Sequence, residues 1–421
     1  MAPTAVDSTA LPPSTSTPVK PHPHQPPGEE VDRSIFPDGF KTSGQHPPLY
    51  DKLYPYSSFP KHIGGGPTVW SAEEYASHPE RWTHVFSEAE IAELSAAADA
   101  FVAQELPLTG INPSNFPLPT MAASLAAMRN EILNGKGFIL YKGFPVHEWG
   151  NHKSAVAYVG LGTYIGYPVS QNGRGHILGH VKDLGEDSTQ IDKVRIYRTN
   201  ARQFFHADDS DVVGLLCVAR AQYGGESDVA CVHQVWNILQ AEYPDVAELL
   251  TKPVWYFDRK GEVSKGEEPY IRAAVMYLEP SSSDEPTNPE RQQHRVYCKW
   301  DPYYVRSLSR FSDKGIIPPL SAEQVHALET LEAVCNRVKL HMILDVGDIQ
   351  FLSNSHVLHA RTEYRDHPPE SGMPRRHLMR LWLSTPASEG GWTLPFPDNN
   401  ERKRGGIQVD DTPPVARLDA D

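Results

Sequence analysis

The chain has 421 residues, enough for a large buried core in one elaborated β domain or in two or three domains. Its 39 basic against 53 acidic side chains give a formal charge of −14, which argues against nucleic acid or an anionic membrane as the main partner and favours a small molecule. It has no apolar signal segment and no window apolar enough for a membrane helix, so a soluble, cytoplasmic protein is expected. Four widely separated cysteines predict reduced thiols.

The two ends of the chain differ in composition from its middle. Residues 1–48 are rich in serine, threonine and proline and carry too little apolar surface to offset the entropy of ordering. They predict a disordered or draped tail. Residues 396–421 are charged and predict a loose C-terminal tail, while residues 49–395 are expected to form a single domain.

The first half of the predicted domain contains several helical patterns. A Ser-x-x-Glu capping box at residue 87 opens an amphipathic helix that reaches residue 101, and a second helix covers 120–133. A buried strand follows at 137–141 and a helix at 155–164. The glycine-rich run 173–179 lacks the spacing of a nucleotide-binding loop and is predicted to be an ordinary loop.

The second half alternates short apolar runs with turns and helices. Helices are predicted at 233–250 and 321–338, the latter opened by a Ser-x-x-Gln capping box. The predicted strands lie at 212–217, 229–232, 273–278, 295–300 and 375–383, and the run 344–352 predicts a turn followed by a strand. The expected fold class is mainly β with helical insertions.

A histidine and a carboxylate stand at the centre of the candidate chemistry. His206 and Asp208 are spaced i and i+2, so both side chains leave one face of an extended segment and can bind one metal ion. Two histidines and one carboxylate leave three positions of an octahedral ion open, which suits non-haem Fe(II) holding a chelating cosubstrate and dioxygen. The second histidine is either His359 or His356.

Two late arginines add a separate argument. Arg376 and Arg380 lie four apart, so a strand places them on one face, about 13 Å from each other. One guanidinium could therefore bind the distal carboxylate of a dicarboxylic cosubstrate and the other an acidic group of the substrate. Such a pair is more often salt-bridged at the surface, but the run 378–383 is apolar, and a buried charge requires a partner.

These elements appear in the order found in one enzyme family. They are the glycine-flanked strand 137–144, His206 and Asp208, the Gly-Gly-Glu-Ser segment 224–227, the segment 354–361, and Arg376 with Arg380. Together they resemble the taurine dioxygenase-like Fe(II)/2-oxoglutarate-dependent oxygenases. The resemblance implies a double-stranded β-helix, or jelly roll, flanked by α-helices.

The resemblance also implies roles for individual residues. His206, Asp208 and His359 would bind iron, Arg376 with the hydroxyl of Ser227 would hold the far carboxylate of 2-oxoglutarate, and Arg380 would face the substrate or support that clamp. The implied reaction uses Fe(II), 2-oxoglutarate and O2 to oxidise an unactivated C–H bond of a small acidic molecule, by hydroxylation, desaturation or cyclisation. The presence of Asp208 favours oxygenation over halogenation.

Several alternatives stay open from the sequence. His356 competes with His359 as the second histidine ligand, and Arg376 follows His359 by 17 positions, which leaves the register of Arg375, Arg376 and Arg380 open. A cupin-like metal enzyme would share the metal site without needing 2-oxoglutarate. A non-catalytic jelly-roll binding protein would need neither the metal nor the arginine clamp.

Overall fold

The computed structural model of the chain describes residues 53–279, 295–394, 396 and 403–420. The predicted tail 1–48 lies outside the described residues. In chain order the strands are β1 (Thr83–Val85), β2 (Phe138–Lys142), β3 (Tyr167–Pro168), β4 (His176–Lys182), β5 (Gln203–His206), β6 (Val212–Ala219), β7 (Tyr223–Gly224), β8 (Ser227–Cys231), β9 (Trp255–Asp258), β10 (Tyr270–Ala273), β11 (Met276–Leu278), β12 (Val296–Cys298), β13 (Leu340–Met342), β14 (Ile349–Ser353), β15 (Val357–Arg361), β16 (Tyr364–Arg365), β17 (His377–Ser384) and β18 (Val415–Ala416). The α-helices are α1 (Ala72–Ser77), α2 (Glu88–Val102), α3 (Ala122–Asn134), α4 (Val146–Gly162), α5 (Val232–Glu242), α6 (Pro244–Thr251), α7 (Pro302–Arg306), α8 (Ser309–Ser312) and α9 (Ala322–Val338).

Two main sheets face each other across the interior. The strands of the large sheet lie in the order β1-β2-β14-β6-β17-β4-β18, and β3 pairs with the end of β17. The small sheet has the order β13-β8-β15-β5. Neighbouring strands of both sheets are antiparallel, except that β1 is parallel to β2 and β18 is parallel to β4. Most neighbours are far apart in sequence, so long-range pairing builds both sheets.

The apolar side chains are arranged in layers around the two sheets. Val213 and Leu215 of β6 pack toward Val229 of β8 in the cluster between the sheets. Because successive side chains of a strand point to opposite faces, the other side of the large sheet packs against α2, α3 and α4. The outer side of the small sheet packs against α5, α6 and α9. This layering buries β14 and β17 along their whole length.

The helix boundaries confirm both predicted capping boxes. Ser87 and Glu90 cap each other at the start of α2, and Ser321 and Gln324 do the same at α9. The single helix predicted for 233–250 is wrong in one respect, because the chain breaks into α5 and α6 just before Pro244. Proline lacks the N–H needed to continue a helix and is favoured in the first turn of a new one.

The glycine-rich run 173–179 is only partly the predicted loop, since β4 begins at His176. Its glycines allow close contacts. A Cβ at Gly179 would lie 2.3 Å from Oε1 of Gln171, and a Cβ at Gly175, whose φ is +80°, would lie 2.1 Å from the carbonyl oxygen of Pro413. The run therefore lets Gln171 and the C-terminal segment lie directly on the sheet.

The C-terminal segment differs from the predicted loose tail in its described part, 403–420. β18 extends the large sheet by pairing with β4, and Ile407 forms a bridge with Gln171. Arg404 is buried, and its Nε and Nη2 donate to the two carboxylate oxygens of Asp211, each at 2.9 Å. A charged side chain is buried stably when it is paired, and the pairing partner lies far upstream in the sequence.

The composition-based predictions can be compared with this fold. All four cysteines are buried and free, as predicted. Among the described residues, no helix combines the length and the apolar character needed to cross a bilayer.

Candidate active site

The structure brings His206, Asp208 and His359 together. β5 and β15 are neighbours in the small sheet, and His206 lies opposite His359 with the ring centroids 4.1 Å apart. One ligand atom from each of the three side chains lies within 4.8 Å of the other two, and all three residues are buried. The predicted far histidine is therefore next to the predicted near pair.

An irregularity in β5 sets the directions of these side chains. His359 is paired with His206, but Arg361 is paired with Gln203, so β5 contains one extra residue. Such a bulge redirects side chains, and here Gln203 and His206, three positions apart, line the same cavity. β5 ends at His206, and Asp208 is held beyond it by a hydrogen bond from its backbone N–H to Oδ1 of Asn354, at 3.1 Å.

The three side chains form a set of donors that fits Fe(II). Nδ1 of His206 donates to the carbonyl oxygen of Phe204 at 2.9 Å, so Nε2 is the unprotonated nitrogen that can bind a metal ion. This Nε2 accepts a hydrogen bond from Nε2 of Gln203 at 2.9 Å, a contact that a bound ion would replace. The Nε2 atoms of His206 and His359 lie 3.9 and 3.7 Å from the two carboxylate oxygens of Asp208. Oδ2 of Asp208 is buried without a hydrogen-bond partner. Two imidazoles around an unpartnered carboxylate oxygen are what a facial iron site requires.

The surroundings favour the protonation states that metal binding needs. Burial raises the pKa of Asp208, but Arg380 and then the two histidines outweigh it, so that the pKa lies below its ordinary value. Burial, and then the neighbouring His206, lowers the pKa of His359 to about 3. Asp208 is therefore a carboxylate and His359 a neutral imidazole at neutral pH, and both are ready to donate to a cation.

His356, the competing histidine, lies outside this cluster. Its Nε2 donates to the carbonyl oxygen of Gly135 at 3.1 Å, and its Nδ1 accepts from the hydroxyl of Ser353 at 3.0 Å. The ring stacks on Trp392 with centroids 5.1 Å apart. Because both ring nitrogens are engaged within the core, His356 has a structural role.

A cavity, here called the inner cavity, extends from the predicted metal ligands to Ser227, Arg361 and Arg376. Nη2 of Arg376 donates to the carbonyl oxygen of Gly225 at 3.0 Å, whereas its Nη1 is buried without a partner. The hydroxyl of Ser227 donates to Oε1 of Gln350 at 3.1 Å. The predicted pair of Arg376 and Ser227 thus lies in one cavity with the predicted metal ligands.

Arg361 also lines the inner cavity, and no role was predicted for it from the sequence. Its Nη2 donates to the carbonyl oxygens of Thr199, at 3.1 Å, and Ala201, while Nε and Nη1 are buried without partners. The available signal was its position two residues after His359, which places both side chains on one face of β15.

Arg380 lies beside the metal ligands rather than at the far end of the inner cavity. Its Nη1 donates to Oδ1 of Asp208 at 3.2 Å, and its Nε donates to Oε1 of Gln171 at 2.8 Å. The guanidinium carbon lies 4.8 Å from the ring centroids of both Tyr197 and Trp382. These contacts hold the guanidinium of Arg380 in one position, from which it donates a hydrogen bond to Asp208.

A second cavity, here called the outer cavity, shares Gln203, Asp208 and Arg380 with the inner one. Its wall adds Arg195 and Lys260 to Arg380, together with tyrosine and tryptophan side chains. Nζ of Lys260 donates to the carbonyl oxygen of Ile191 at 2.6 Å, and burial lowers the pKa of this lysine to about 8. This cavity was not predictable from the sequence, because segments that are far apart in the chain form its wall.

Comparison with known proteins agrees with this geometry. The model of the family described as "Taurine catabolism dioxygenase TauD, TfdA family" matches residues 104–382, well over half of the chain. The chain belongs to this family. The TauD-family chain is a 2-oxoglutarate-dependent non-haem iron dioxygenase, whose reaction uses Fe(II), 2-oxoglutarate and O2.

Two relatives align with most of the TauD-family chain. "FR-33289 synthase" of Streptomyces rubellomurinus (strain ATCC 31215) is 28% identical over 350 residues, covering 82% of this chain and 95% of the relative. "Taurine hydroxylase-like protein SAT17" of Stachybotrys chartarum (strain CBS 109288 / IBT 7711) is 26% identical over 333 residues, covering 78% and 80%.

Two solved structures share the fold. An asparagine oxygenase in complex with Fe(II), 2S,3S-3-hydroxyasparagine and succinate superposes with a TM-score of 0.51 at 17% identity, covering 72% of this chain and 94% of that one. The non-heme iron oxygenase OrfP in complex with Fe also gives 0.51, at 12% identity, covering 77% and 99%.

Proposed function

We propose that the protein oxidises an unactivated C–H bond of a small acidic molecule, with Fe(II) held by His206, Asp208 and His359. The distal carboxylate of 2-oxoglutarate is held by Arg376 and Ser227. The observation that carries this proposal is the Asp208 carboxylate, which has Nε2 of His206 near Oδ1 and Nε2 of His359 near its buried, unpartnered Oδ2. It lies at one end of a cavity that has an unpartnered arginine N–H at the other. Both ends lack a partner that the cofactor and cosubstrate would supply.

We also propose a specific architecture for the two facing sheets. The two facing sheets, with β14 and β17 in one and β8 and β15 in the other, are proposed to form a double-stranded β-helix. Support comes from the position of His206 and His359 on the small sheet, facing the inner cavity, and from the fold shared with iron-containing oxygenases.

Different residues of the chain bind the metal ion, orient the cosubstrate and position Asp208. Bound Fe(II) and 2-oxoglutarate supply the chemistry that activates O2 and removes hydrogen from the substrate. Three protein ligands leave three metal positions for cosubstrate and dioxygen. Arg376 and Ser227 orient the cosubstrate by its far carboxylate. Arg380 holds Asp208 in place and ionised, and the burial of all three ligands keeps bulk water away.

The substrate is proposed to bind in the outer cavity and to carry an anionic group. Three cationic side chains, Arg195, Lys260 and Arg380, line this cavity, against the two carboxylates Asp208 and Asp301. Arg195 is also paired with Glu262 at 2.5 Å. Aromatic side chains supply apolar surface for the carbon chain. The asparagine oxygenase structure contains a hydroxylated amino acid, which favours hydroxylation of a small polar molecule over desaturation or cyclisation here.

The decisive experiment is an anaerobic titration of 2-oxoglutarate into the Fe(II)-loaded protein, followed by the weak visible charge-transfer band of the chelate. The wild type should develop the band, Asp208→Ala should lose it together with iron, and Arg376→Met should need far more 2-oxoglutarate to reach it. Arg375→Met is the matched control, because Arg375 is exposed and adjacent in sequence. It should titrate like the wild type.

The alternatives give different outcomes of the same titration. Bound iron without any 2-oxoglutarate-dependent band would favour the cupin-like enzyme. A protein that binds no iron in stoichiometric amount would favour the non-catalytic jelly-roll protein. Equal effects of Arg375→Met and Arg376→Met would remove Arg376 from the cosubstrate site.

A further inference from the structure

The far end of the inner cavity contains two buried guanidinium groups, and neither forms an ion pair within the part of the chain that the structure describes. Arg361 is 7% exposed and Arg376 is 5% exposed. The hydrogen bonds of Arg361 go to backbone carbonyl oxygens, and the guanidinium of Arg376 contacts the carbonyl oxygen of Gly225 and the side chain of Tyr364. Nε and Nη1 of Arg361 and Nη1 of Arg376 remain buried without a partner. Three N–H groups of two cations are thus available at one end of the cavity.

The two cations line one cavity and share an aromatic neighbour. Their guanidinium carbons lie 4.9 and 5.0 Å from the ring centroid of Tyr364, so both pack against the same side chain. Buried like charges repel one another and lose hydration, and this arrangement becomes favourable only when an anion is present. Glu226, an acidic side chain that also lines the cavity, instead accepts a hydrogen bond from the hydroxyl of Thr362.

The strand geometry relates this anion site to the metal site. Arg361 follows His359 by two positions in β15, so the two side chains share a face and are separated by about 6.6 Å along the strand. A five-carbon dicarboxylate with one end at the metal ligands can reach Arg361 with the other. We infer that Arg361 is a second cationic anchor, acting with Arg376, for the distal carboxylate of the cosubstrate; this rests on the proposed function.

One carboxylate can accept hydrogen bonds from all the free N–H groups of Arg361 and Arg376. A carboxylate has two oxygens with about four lone-pair sites, enough to accept from all three free N–H groups. A 2-oxo acid without the distal carboxylate would leave both guanidiniums unpaired. A site with buried donors rejects such an analogue strongly, so the two arginines together determine specificity for a dicarboxylic cosubstrate.

The test compares the binding of 2-oxoglutarate with that of 2-oxopentanoate, which has the same chain length but no distal carboxylate. Dissociation constants are measured by anaerobic calorimetry on Fe(II)-loaded wild type, Arg361→Met and Arg361→Lys. Arg361→Met should bind 2-oxoglutarate about tenfold to a hundredfold more weakly, while its affinity for 2-oxopentanoate changes less than threefold. Arg361→Lys should recover part of the loss. Arg365→Met, an exposed arginine nearby, should match the wild type.

Several results would overturn the inference. Equal weakening of both ligands would show that Arg361 only supports the fold, and unchanged binding of 2-oxoglutarate would remove it from the site. A wild type that does not discriminate between the two acids would contradict the inference without any variant. If the wild type binds iron but not 2-oxoglutarate, the proposed function fails instead.

Discussion

Arg404 and Arg376 are buried to almost the same degree, with 4% and 5% of their surface exposed, yet their surroundings differ. Arg404 donates from Nε and Nη2 to Asp211 and from Nη1 to the carbonyl oxygen of Trp392, at 3.0 Å. Arg376 has a backbone carbonyl oxygen on Nη2 and nothing on Nη1. The first arginine is neutralised by the fold, and the second is not.

The comparison of Arg404 with Arg376 shows how the partners of a buried charge indicate its role. Asp211 also accepts from the backbone N–H of Thr385 at 2.8 Å, so the pair with Arg404 joins the C-terminal segment to the large sheet. A satisfied pair of this kind stabilises the folded chain. A buried cation that lacks an anion lowers stability until a ligand supplies one, and it therefore marks a binding site.

The largest expected change in the free energy of unfolding comes from breaking the ion pair between Arg404 and Asp211. Asp211→Asn removes the carboxylate with which buried Arg404 is paired, and the free energy of unfolding should fall by about 3–5 kcal/mol. Urea unfolding of both proteins measures the difference. The control is Asp99→Asn, which removes an exposed ion pair with Lys153 and should cost at most about 1 kcal/mol. Equal losses in the two variants would contradict the distinction.

Substitution of Arg376 should have a smaller effect on the free energy of unfolding, and this effect should appear only when 2-oxoglutarate is bound. Without cosubstrate, Arg376→Met should change the free energy of unfolding by less than about 1 kcal/mol, because no anion is lost. With 2-oxoglutarate at a hundredfold excess over its dissociation constant, the anaerobic Fe(II)-loaded wild type should gain about 2.7 kcal/mol. At that concentration the variant should gain much less. A large loss in the ligand-free variant would assign Arg376 to the fold.

Arg380 is an intermediate case, and it gives the smallest predicted effect. Gln171 accepts from its Nε, at 2.8 Å, and donates to its carbonyl oxygen, at 2.7 Å. Gln171→Leu should release Arg380 from its position on Asp208 and weaken Fe(II) binding about tenfold, as measured by competition with a chelator. Gln190→Leu changes an exposed glutamine and should have no effect. Unchanged iron affinity in Gln171→Leu would show that Asp208 is positioned without this contact.

The sequence predicted those parts of the molecule whose signals are local. The capping boxes of α2 and α9 are confirmed because both partners lie within one turn. His206, Asp208, His359, Ser227 and Arg376 were chosen from their order along the chain, and the structure places them around one cavity. Their roles in binding iron and 2-oxoglutarate stay predictions.

The features that the sequence did not indicate depend on distant pairing. The bulge that turns Gln203 and His206 to one side arises from the register between β5 and β15. The packing of 403–420 depends on Asp211, nearly two hundred positions upstream of Arg404. Composition describes such a segment as polar and proline-rich, but it does not reveal the partner that buries it.

The bridge between Gln171 and Ile407 has a consequence for the biosynthesis of the protein. Gln171 is the residue that holds Arg380 on Asp208, and its backbone is paired with a residue that is synthesised after all three predicted iron ligands. The wall next to these residues is therefore completed only once Ile407 is present. A chain terminated between Ser384 and Ile407 would carry every predicted iron ligand and still lack this support.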